Sequence, residues 1–256
     1  MDRRTVLGMA AAALGLTVAG CDTSTSSAPN ATATAAGATP TGSPPPRTSA
    51  PPTLPALPAE ITNGPRERPN IALTFHGQGD PKIAEQLLAE LERGGARVTV
   101  LAVGTWLDAQ PTLARRILDG GHELGNHTQN HLDIEQMSTT QAFHEVDACA
   151  KTLKRLTGSI GTWFRPSQTA HANAMVRSEA TKIGYRTCLS YDVDSLDFTD
   201  PGAASVVHNT LTAVRNGSIV SMHFGHSGTV AAVPALLDGL RQKGLRAVTM
   251  TELMSV

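Results

Sequence analysis

The sequence predicts a parallel α/β fold, and two observations carry this prediction. From about position 69 to the end, seven short apolar runs alternate with segments of helical periodicity, which is the pattern of repeated strand–helix units. The residues directly after these runs are polar and include several histidines and aspartates. In barrels of such units the chemical groups gather at the carboxyl ends of the strands. We therefore expect one α/β domain over 69–256 with a site at one end of its sheet.

The first strand and helix of this domain have local boundary signals. Residues 71–75 are predicted to form the strand, and Asp80 followed by Pro81 is typical of an N-cap and first helical residue. Gly94 and Gly95 are expected to end the helix. Its buried face recurs at helical spacing and consists of Ile83, Leu87, Leu88 and Leu91.

The remaining elements follow in the same alternation. Strands are predicted at 98–103, in the apolar run before His127, near 163–164, and at 186–191, 218–222 and 247–250. Helices are predicted at 111–118, 174–183 and 230–241. Two further helices are predicted, one beginning after the capping box of Ser138 and Gln141 and one after Asp200 and Pro201.

Composition excludes several classes of protein. The 256 residues carry 22 acidic and 21 basic side chains, so neither a nucleic-acid footprint nor a polybasic membrane patch is indicated. Three cysteines are too few for a disulfide-rich scaffold. Cys149 and Cys188 fall in predicted core segments and are expected to be buried thiols, with no argument for pairing them.

Residues 1–20 resemble a bacterial export signal. Arg3 and Arg4 precede an apolar run over 6–18, which is too short for a membrane-spanning helix, since that requires about 20 apolar residues. Small residues directly before Cys21 are similar to a lipobox, in which the cysteine is acylated and becomes the new N-terminus. We therefore expect Cys21 to anchor the protein to the membrane. The arginine pair also resembles a twin-arginine signal, so the export route stays open.

Residues 21–68 are predicted to be a disordered tether. Alanine, serine, threonine and proline dominate, and ten of the sixteen prolines fall between Pro29 and Pro65. Such a segment buries too little apolar surface to offset the entropy lost on ordering. A flexible coil of about 45 residues reaches roughly 35–40 Å. We expect a lipoprotein on the outer face of the cytoplasmic membrane, with its domain reaching into the cell wall.

Two histidines, His127 and His131, stand four residues apart after the third predicted strand. In a helical turn this spacing puts both imidazoles on one side, as two ligands of one divalent ion require. The spacing alone also fits two surface histidines in a polar turn. The polar residues after the other strands favour the metal site of a hydrolase; they are His76, Arg165, Asp194, Asp197 and His223.

In chain order, these motifs resemble the polysaccharide deacetylase family, also described as NodB homology domains or family 4 carbohydrate esterases. The resemblance runs from about Ile71 to Val256 and implies a distorted (β/α)7-type barrel with fewer strands than the eight-fold form. The stretch 121–131 resembles the family's second motif, which implies His127 and His131 as metal ligands.

Three further motifs extend the resemblance. Residues 164–166 resemble the third motif, whose arginine, here Arg165, orients the catalytic base. Residues 194–198 resemble the fourth, which carries Asp194 and Asp197 and has phenylalanine where tryptophan is usual. Residues 222–223 resemble the fifth, which implies that His223 is the general acid.

The first motif is where the sequence departs from the family. The family has Thr-Phe-Asp-Asp-Gly there, with one aspartate as base and one as metal ligand, whereas this chain has His76 and Gly77 at those two positions. Three interpretations stay open: His76 is a third metal ligand, His76 replaces the base, or the domain binds glycan without cutting it. Asp80 offers a nearby carboxylate, although helix capping explains it without chemistry.

The resemblance implies metal-assisted amide hydrolysis. A divalent metal, zinc being expected, would polarise an acetamide carbonyl and activate water, while His223 protonates the leaving amine and Asp197 holds its tautomer. We expect the substrate to be an N-acetylated glycan of the cell envelope, peptidoglycan above all, and the protein to be a monomer. A non-catalytic glycan-binding lipoprotein is the alternative.

Overall fold

Strands and helices alternate through residues 54–255, the part of the chain that the computed structural model describes. The strands are β1 Glu60–Ile61, β2 Asn70–Gly77, β3 Thr99–Ala102, β4 Glu123–Asn126, β5 Cys188–Leu189, β6 Val193–Asp194, β7 Ile219–His223 and β8 Arg246–Ala247. The helices are α1 Pro81–Arg93, α2 Gly104–Ala109, α3 Pro111–Asp119, α4 Thr139–Thr157, α5 Ala174–Ile183, α6 Ala203–Ala213, α7 Ser227–Gln242 and α8 Met250–Met254. The predicted signal, Cys21 and most of the predicted tether lie outside this part.

The sheet is parallel and curved, which confirms the predicted fold class. Its main order is β4-β3-β2-β7-β6, with β8 pairing β2 and β1 pairing β5. Phe164 forms single parallel bridges to Asn126 and Cys188 and so links β4 to β5. A further bridge joins Asn63 to Ser218. The strands therefore curve into a distorted barrel in which β2 is central.

Strand alternation separates two layers of core. On β2, Leu73 and Phe75 face the surrounding helices and belong to the larger core cluster. Ala72 faces the barrel interior and packs in a second cluster with Leu101 and Trp163. The alternation puts His76 on the interior face as well, so the last inward-facing residue of the central strand is a candidate site residue.

The local signals for helix ends are present in the structure. Asp80 caps α1 by accepting from the backbone N–H of Lys82, and Pro81 is the first helical residue. Ser138 and Gln141 form the predicted capping box of α4. Cys149 and Cys188 are both free and buried.

The predicted tether boundary at Arg68 is wrong, because residues 54–68 pack against the domain. Ile61 is buried and β1 pairs with β5. Arg66 forms an ion pair of 2.8 Å with Asp192. The side chain of Arg68 donates to the backbone oxygen of Leu253 at 3.1 Å. The ordered domain therefore begins at least as early as Leu54.

The end of the domain also differs from the prediction. The predicted strand at 247–250 is shorter, because Thr249 caps helix α8 and forms a capping box with Glu252. Helix α2 was not predicted, since six residues are too few to show helical periodicity. Within residues 54–255, no helix combines the length and apolar character that crossing a membrane requires.

Candidate active site at the carboxyl ends of the strands

The predicted site residues meet at one edge of the curved sheet. His76 lies near the end of β2, His127 directly follows β4, and His223 ends β7. Because these strands are parallel, their carboxyl ends meet on one side of the barrel. Asp194 ends β6 beside them. His76, Asp194 and His223 line an open cleft of about 350 Å³, with Phe198 on its rim, and His127 lies buried behind it.

Three histidines form a cluster at the base of this cleft, which we call the histidine cluster: His76 and His131 line the cleft, and His127 is buried beside them. One ring nitrogen of each lies within 4.8 Å of the others. The ring centroids of His76 and His127 are 4.3 Å apart, and those of His127 and His131 are 4.9 Å apart. This donor set is chemically suited to a divalent metal ion.

The loop that carries His127 and His131 is not the helical turn that the sequence predicted. Thr128 and His131 have φ angles of 66° and 55°, so the chain turns through left-handed positions. Asn130 is fixed by the Glu145 carboxylate, which accepts from its backbone N–H at 2.8 Å and from its side chain at 2.6 Å. The loop therefore achieves with turns the proximity expected from a helix.

The hydrogen bonds of His127 leave one ring nitrogen free to bind a metal. Its Nδ1 lies 2.9 Å from the carbonyl oxygen of Arg165, which only accepts, so Nδ1 carries the ring proton. Its Nε2 is buried and has no hydrogen-bond partner. Burial, and next the nearby His131, hold the pKa of His127 well below its usual value, so the ring stays neutral. A buried, unpaired lone pair fits a metal ligand.

Arg165 is a buried cation that contacts His76. Its Nη1 lies 3.1 Å from Nε2 of His76. The remaining donors go to Thr74 Oγ1 at 2.8 Å and to the backbone oxygens of Leu189 and Ser190, both at 3.1 Å. Burial lowers the pKa of Arg165 to about 10, which still leaves the guanidinium charged at neutral pH. Burial, and next the proximity of His127, hold the pKa of His76 well below its usual value.

His223 is paired with Asp197, as the sequence predicted for the orienting carboxylate. Nδ1 of His223 lies 2.7 Å from Oδ1 of Asp197, and the other carboxylate oxygen accepts from the His223 backbone N–H at 2.8 Å. Thr229 also donates to that oxygen, at 2.7 Å. Burial alone would raise the pKa of Asp197, but the hydrogen bonds from His223 and Thr229 lower it, so the carboxylate stays ionised.

The cleft has walls that sequence reasoning did not identify. The ring of Tyr191 lies 5.4 Å from the guanidinium carbon of Arg165 and lines the cleft. Its position at the end of a predicted strand gave no signal of this contact. Phe198 is 47% exposed, and its ring centroid lies 5.2 Å from that of His223. An exposed aromatic ring beside a general-acid candidate provides an apolar wall for a ligand.

Gly77 of the first motif and the nearby Asp80 have structural explanations. Gly77 lies on the helix-facing side of β2, where a Cβ atom would come within 2.8 Å of Val100 Cγ1 and 3.1 Å of Ala102 Cα. A side chain there would point into packed core and away from the cleft. Asp80 caps α1, so its carboxylate is explained without a metal.

The sequence is similar to known polysaccharide deacetylases. The family model named polysaccharide deacetylase matches residues 63–188. A peptidoglycan-N-acetylglucosamine deacetylase of Bacillus cereus is 32% identical over 194 residues, which cover 74% of this chain and 90% of that protein.

Solved structures share the same architecture. A family 4 carbohydrate esterase from Streptomyces lividans in complex with acetate is 28% identical, with a TM-score of 0.65 over 73% of this chain and 93% of the other. A CE4 family pseudoenzyme from Bacillus anthracis is 22% identical, with a TM-score of 0.73 over 78% and 70%; this likeness shows the fold alone. From the motifs, the fold and the extent of the match to its relatives, this chain belongs to the polysaccharide deacetylase family.

Proposed function

We propose that this protein is a metal-dependent deacetylase that removes N-acetyl groups from a glycan of the cell envelope. One observation carries the proposal: the open cleft is lined both by His131 of the histidine cluster, whose neighbour His127 has a free ring nitrogen, and by His223, which is paired with Asp197. Hydrolysis of an amide requires one group to activate water and another to protonate the leaving amine. The cleft offers both.

His127 and His131 would hold the ion, which we propose to be zinc. Imidazole nitrogens are common zinc ligands, and catalytic zinc sites keep a position open to water. When bound, the ion supplies a polarised carbonyl and an activated water molecule. The chain contributes the neutral ligands, because burial disfavours protonation of both rings.

His223 would act as the general acid. Asp197 accepts from Nδ1, which fixes the ring so that Nε2 carries the proton delivered to the leaving nitrogen. The ionised Asp197 stabilises the imidazolium that must form before the proton is given. Thr229 and the His223 backbone hold that carboxylate in place. Asp194 lies on the cleft wall at the end of β6, where we propose that it contacts substrate.

The substrate class is proposed from the relatives and from the cleft. The Bacillus cereus relative is a peptidoglycan-N-acetylglucosamine deacetylase, and the open cleft with its exposed Phe198 suits an extended sugar chain. Acylation of Cys21 would tether the domain to the membrane within reach of peptidoglycan. We propose that the protein works as a monomer, with no nucleic-acid partner.

Acetate release tests the proposal. Zinc-loaded protein, incubated with purified peptidoglycan or N-acetylglucosamine oligomers, should release acetate, and His223→Ala should lower the rate by about 10²-fold or more. Zinc content should stay near the wild-type value in that variant, since His223 is not a proposed ligand. His208→Ala, an exposed histidine on α6, is the matched control and should keep both properties. Loss of zinc in His223→Ala would contradict the assignment of the acid.

A second candidate function is supported by the first motif. Neither His76 nor Gly77 supplies the carboxylate found in the family, so the domain would bind the glycan without cutting it. This candidate predicts retention of the protein on insoluble peptidoglycan with no acetate released by zinc-loaded wild type. Release that depends on His223 would exclude it.

A further inference from the structure

The histidine cluster contains two kinds of ring, distinguished by their hydrogen bonds. On His127 the partner is a carbonyl oxygen at Nδ1, so the proton sits on Nδ1 and the lone pair of Nε2 is free. On His76 the partner is Nη1 of Arg165 at Nε2, and a guanidinium can only donate. Nε2 of His76 is therefore an acceptor, and the proton of the neutral ring sits on Nδ1.

We infer that His76 is not a metal ligand and that, among the described residues, His127 and His131 alone hold the ion. The inference rests on the metal site of the proposed function. A neutral imidazole has one in-plane lone pair, and the hydrogen bond from Arg165 occupies it. Binding an ion through Nε2 would displace the guanidinium, and binding through Nδ1 would move the ring proton to Nε2, where it would face the Arg165 donor.

Hydrogen bonds to three other residues fix the guanidinium of Arg165 in place. Its side chain is fully buried, and its other donors reach Leu189, Ser190 and Thr74. Moving the guanidinium would leave those three acceptors without their partner in a dry region. The contact with His76 is thus one of four bonds that fix the same planar group.

Among the described residues, no carboxylate belongs with the ring nitrogens of the histidine cluster, and this includes Asp194 on the cleft wall. A side chain at Gly77 would point toward Val100 and the helices, and Asp80 is engaged at the start of α1. Both oxygens of Asp197 are engaged by His223, and one also by Thr229. The ion would therefore keep more positions for solvent and substrate than a site with three protein ligands has.

The tautomer of His76 is the first test. In metal-free protein with ¹⁵N-labelled histidine, we expect the imidazole signals of His76 to show a protonated Nδ1 and an unprotonated Nε2, with His127 showing the same ring tautomer. His76→Gln identifies its signals and keeps an acceptor for Arg165. A His76 ring protonated on Nε2 would overturn the inference, whether or not the protein binds zinc.

Zinc affinity is the second test, and it distinguishes the inference from the proposed function. His76→Gln should change the zinc Kd by less than about threefold, whereas His127→Gln should weaken it at least about 100-fold, beyond what loss of an outer-shell partner costs. Equal weakening in both variants would overturn the inference alone. Failure of the wild type to bind zinc would overturn the proposed metal site and the inference with it.

X-ray absorption of the zinc-loaded protein counts the imidazoles directly. We expect two in the wild type. Arg165→Met frees the lone pair of His76, so a third imidazole and a zinc Kd at least about tenfold lower are expected. Three imidazoles in the wild type would overturn the inference; if Arg165→Met does not fold, the wild-type count and His76→Gln decide.

Discussion

Glu123 and His127 lie at opposite ends of strand β4, and their buried polar atoms are satisfied differently. At the amino-terminal end, the Glu123 carboxylate accepts from Thr99 at 2.9 Å, from the Trp163 indole at 3.0 Å, and from the backbone and hydroxyl of Thr251. At the carboxyl end, Nε2 of His127 is buried with no partner. The paired carboxylate of Glu123 stabilises the fold. The unpaired Nε2 of His127 is suited to a ligand because two further histidines lie beside it. Nε2 of His122 is also unpaired but has no such neighbours and lies 3.5 Å from the Glu92 carboxylate.

The N-terminal segment 54–68 offers the largest test of this comparison, because it packs beside the closed end. Deleting residues through Arg68 removes buried Ile61, the β1 strand and the Arg66–Asp192 ion pair. We expect the free energy of unfolding to fall by at least about 3 kcal/mol, since loss of one buried isoleucine alone costs about 2–5 kcal/mol.

The control is a deletion through Thr53, which keeps the packed segment. Urea denaturation of the two shortened proteins gives the difference directly. Equal midpoints would show that residues 54–68 add nothing to the stability of the domain. The predicted boundary between tether and domain at Arg68 would then be correct.

Glu123→Ala tests the closed network itself. The substitution removes the acceptor of the Thr251 backbone N–H and leaves the Trp163 indole with Thr251 Oγ1 alone, at 3.2 Å, which should cost about 1–3 kcal/mol of unfolding free energy. Zinc affinity should stay unchanged, because Glu123 begins β4 and the proposed ligands follow the end of that strand. The exposed Glu85→Ala should change stability by less than about 0.5 kcal/mol. A drop in zinc affinity with Glu123→Ala would mean that the two ends are coupled.

The sequence predicted the fold where local signals decide the structure. The N-cap at Asp80 and the capping box at Ser138 are fixed by residues two or three positions away, and both are present. Strand β1 could not be predicted, because two residues in a proline-rich stretch are ordered by pairing with β5, more than 120 positions away. Thr249 and Glu252 did carry a capping signal that the strand prediction overlooked.

The sequence predicted which residues form the site, but it could not predict the hydrogen bonds between them. The placement of His127 and His223 after strands follows from topology, so their meeting at one edge could be expected. The contact between Arg165 and His76 joins residues 89 positions apart and depends on how a buried guanidinium is anchored. That contact decides which ring nitrogen carries a proton, and no sequence pattern reports it.

Gly77→Asp sharpens the comparison at the carboxyl end. The new side chain would restore the second of the two aspartates in the family's first motif, but its Cβ would meet Val100 Cγ1 at 2.8 Å on the helix side of β2. We expect Gly77→Ala to cost about 1–3 kcal/mol from overpacking. Gly77→Asp should cost more, because its carboxylate would also be buried without a partner, and it should not gain zinc affinity. Tighter zinc binding by Gly77→Asp would show that the strand end can turn the carboxylate into the cleft.

Glu123 and His127, at the two ends, should make the free energy of unfolding depend on pH with opposite signs. Burial raises the pKa of Glu123, so the unfolded chain releases its proton near pH 4.3 while the folded protein holds it to a higher pH. The folded state then binds more protons, and stability falls as pH rises through that window. His127 has a lowered pKa, so the unfolded chain binds a proton there before the folded protein does. In metal-free protein, the contribution of His127 to the free energy of unfolding therefore falls as pH drops below about 6.5.

Glu123→Gln isolates the smaller of these effects. The substitution removes the ionisable group and keeps its shape, so all other titrations cancel when it is compared with wild type. We expect the stability of wild type relative to Glu123→Gln to fall by up to about 1.4 kcal/mol per pH unit above pH 4.3, then to level off above the raised pKa. Urea denaturation of metal-free protein between pH 4 and 8 measures it. A constant difference would mean that the four donors compensate fully for burial of the charge, and the closed end would then be insensitive to pH.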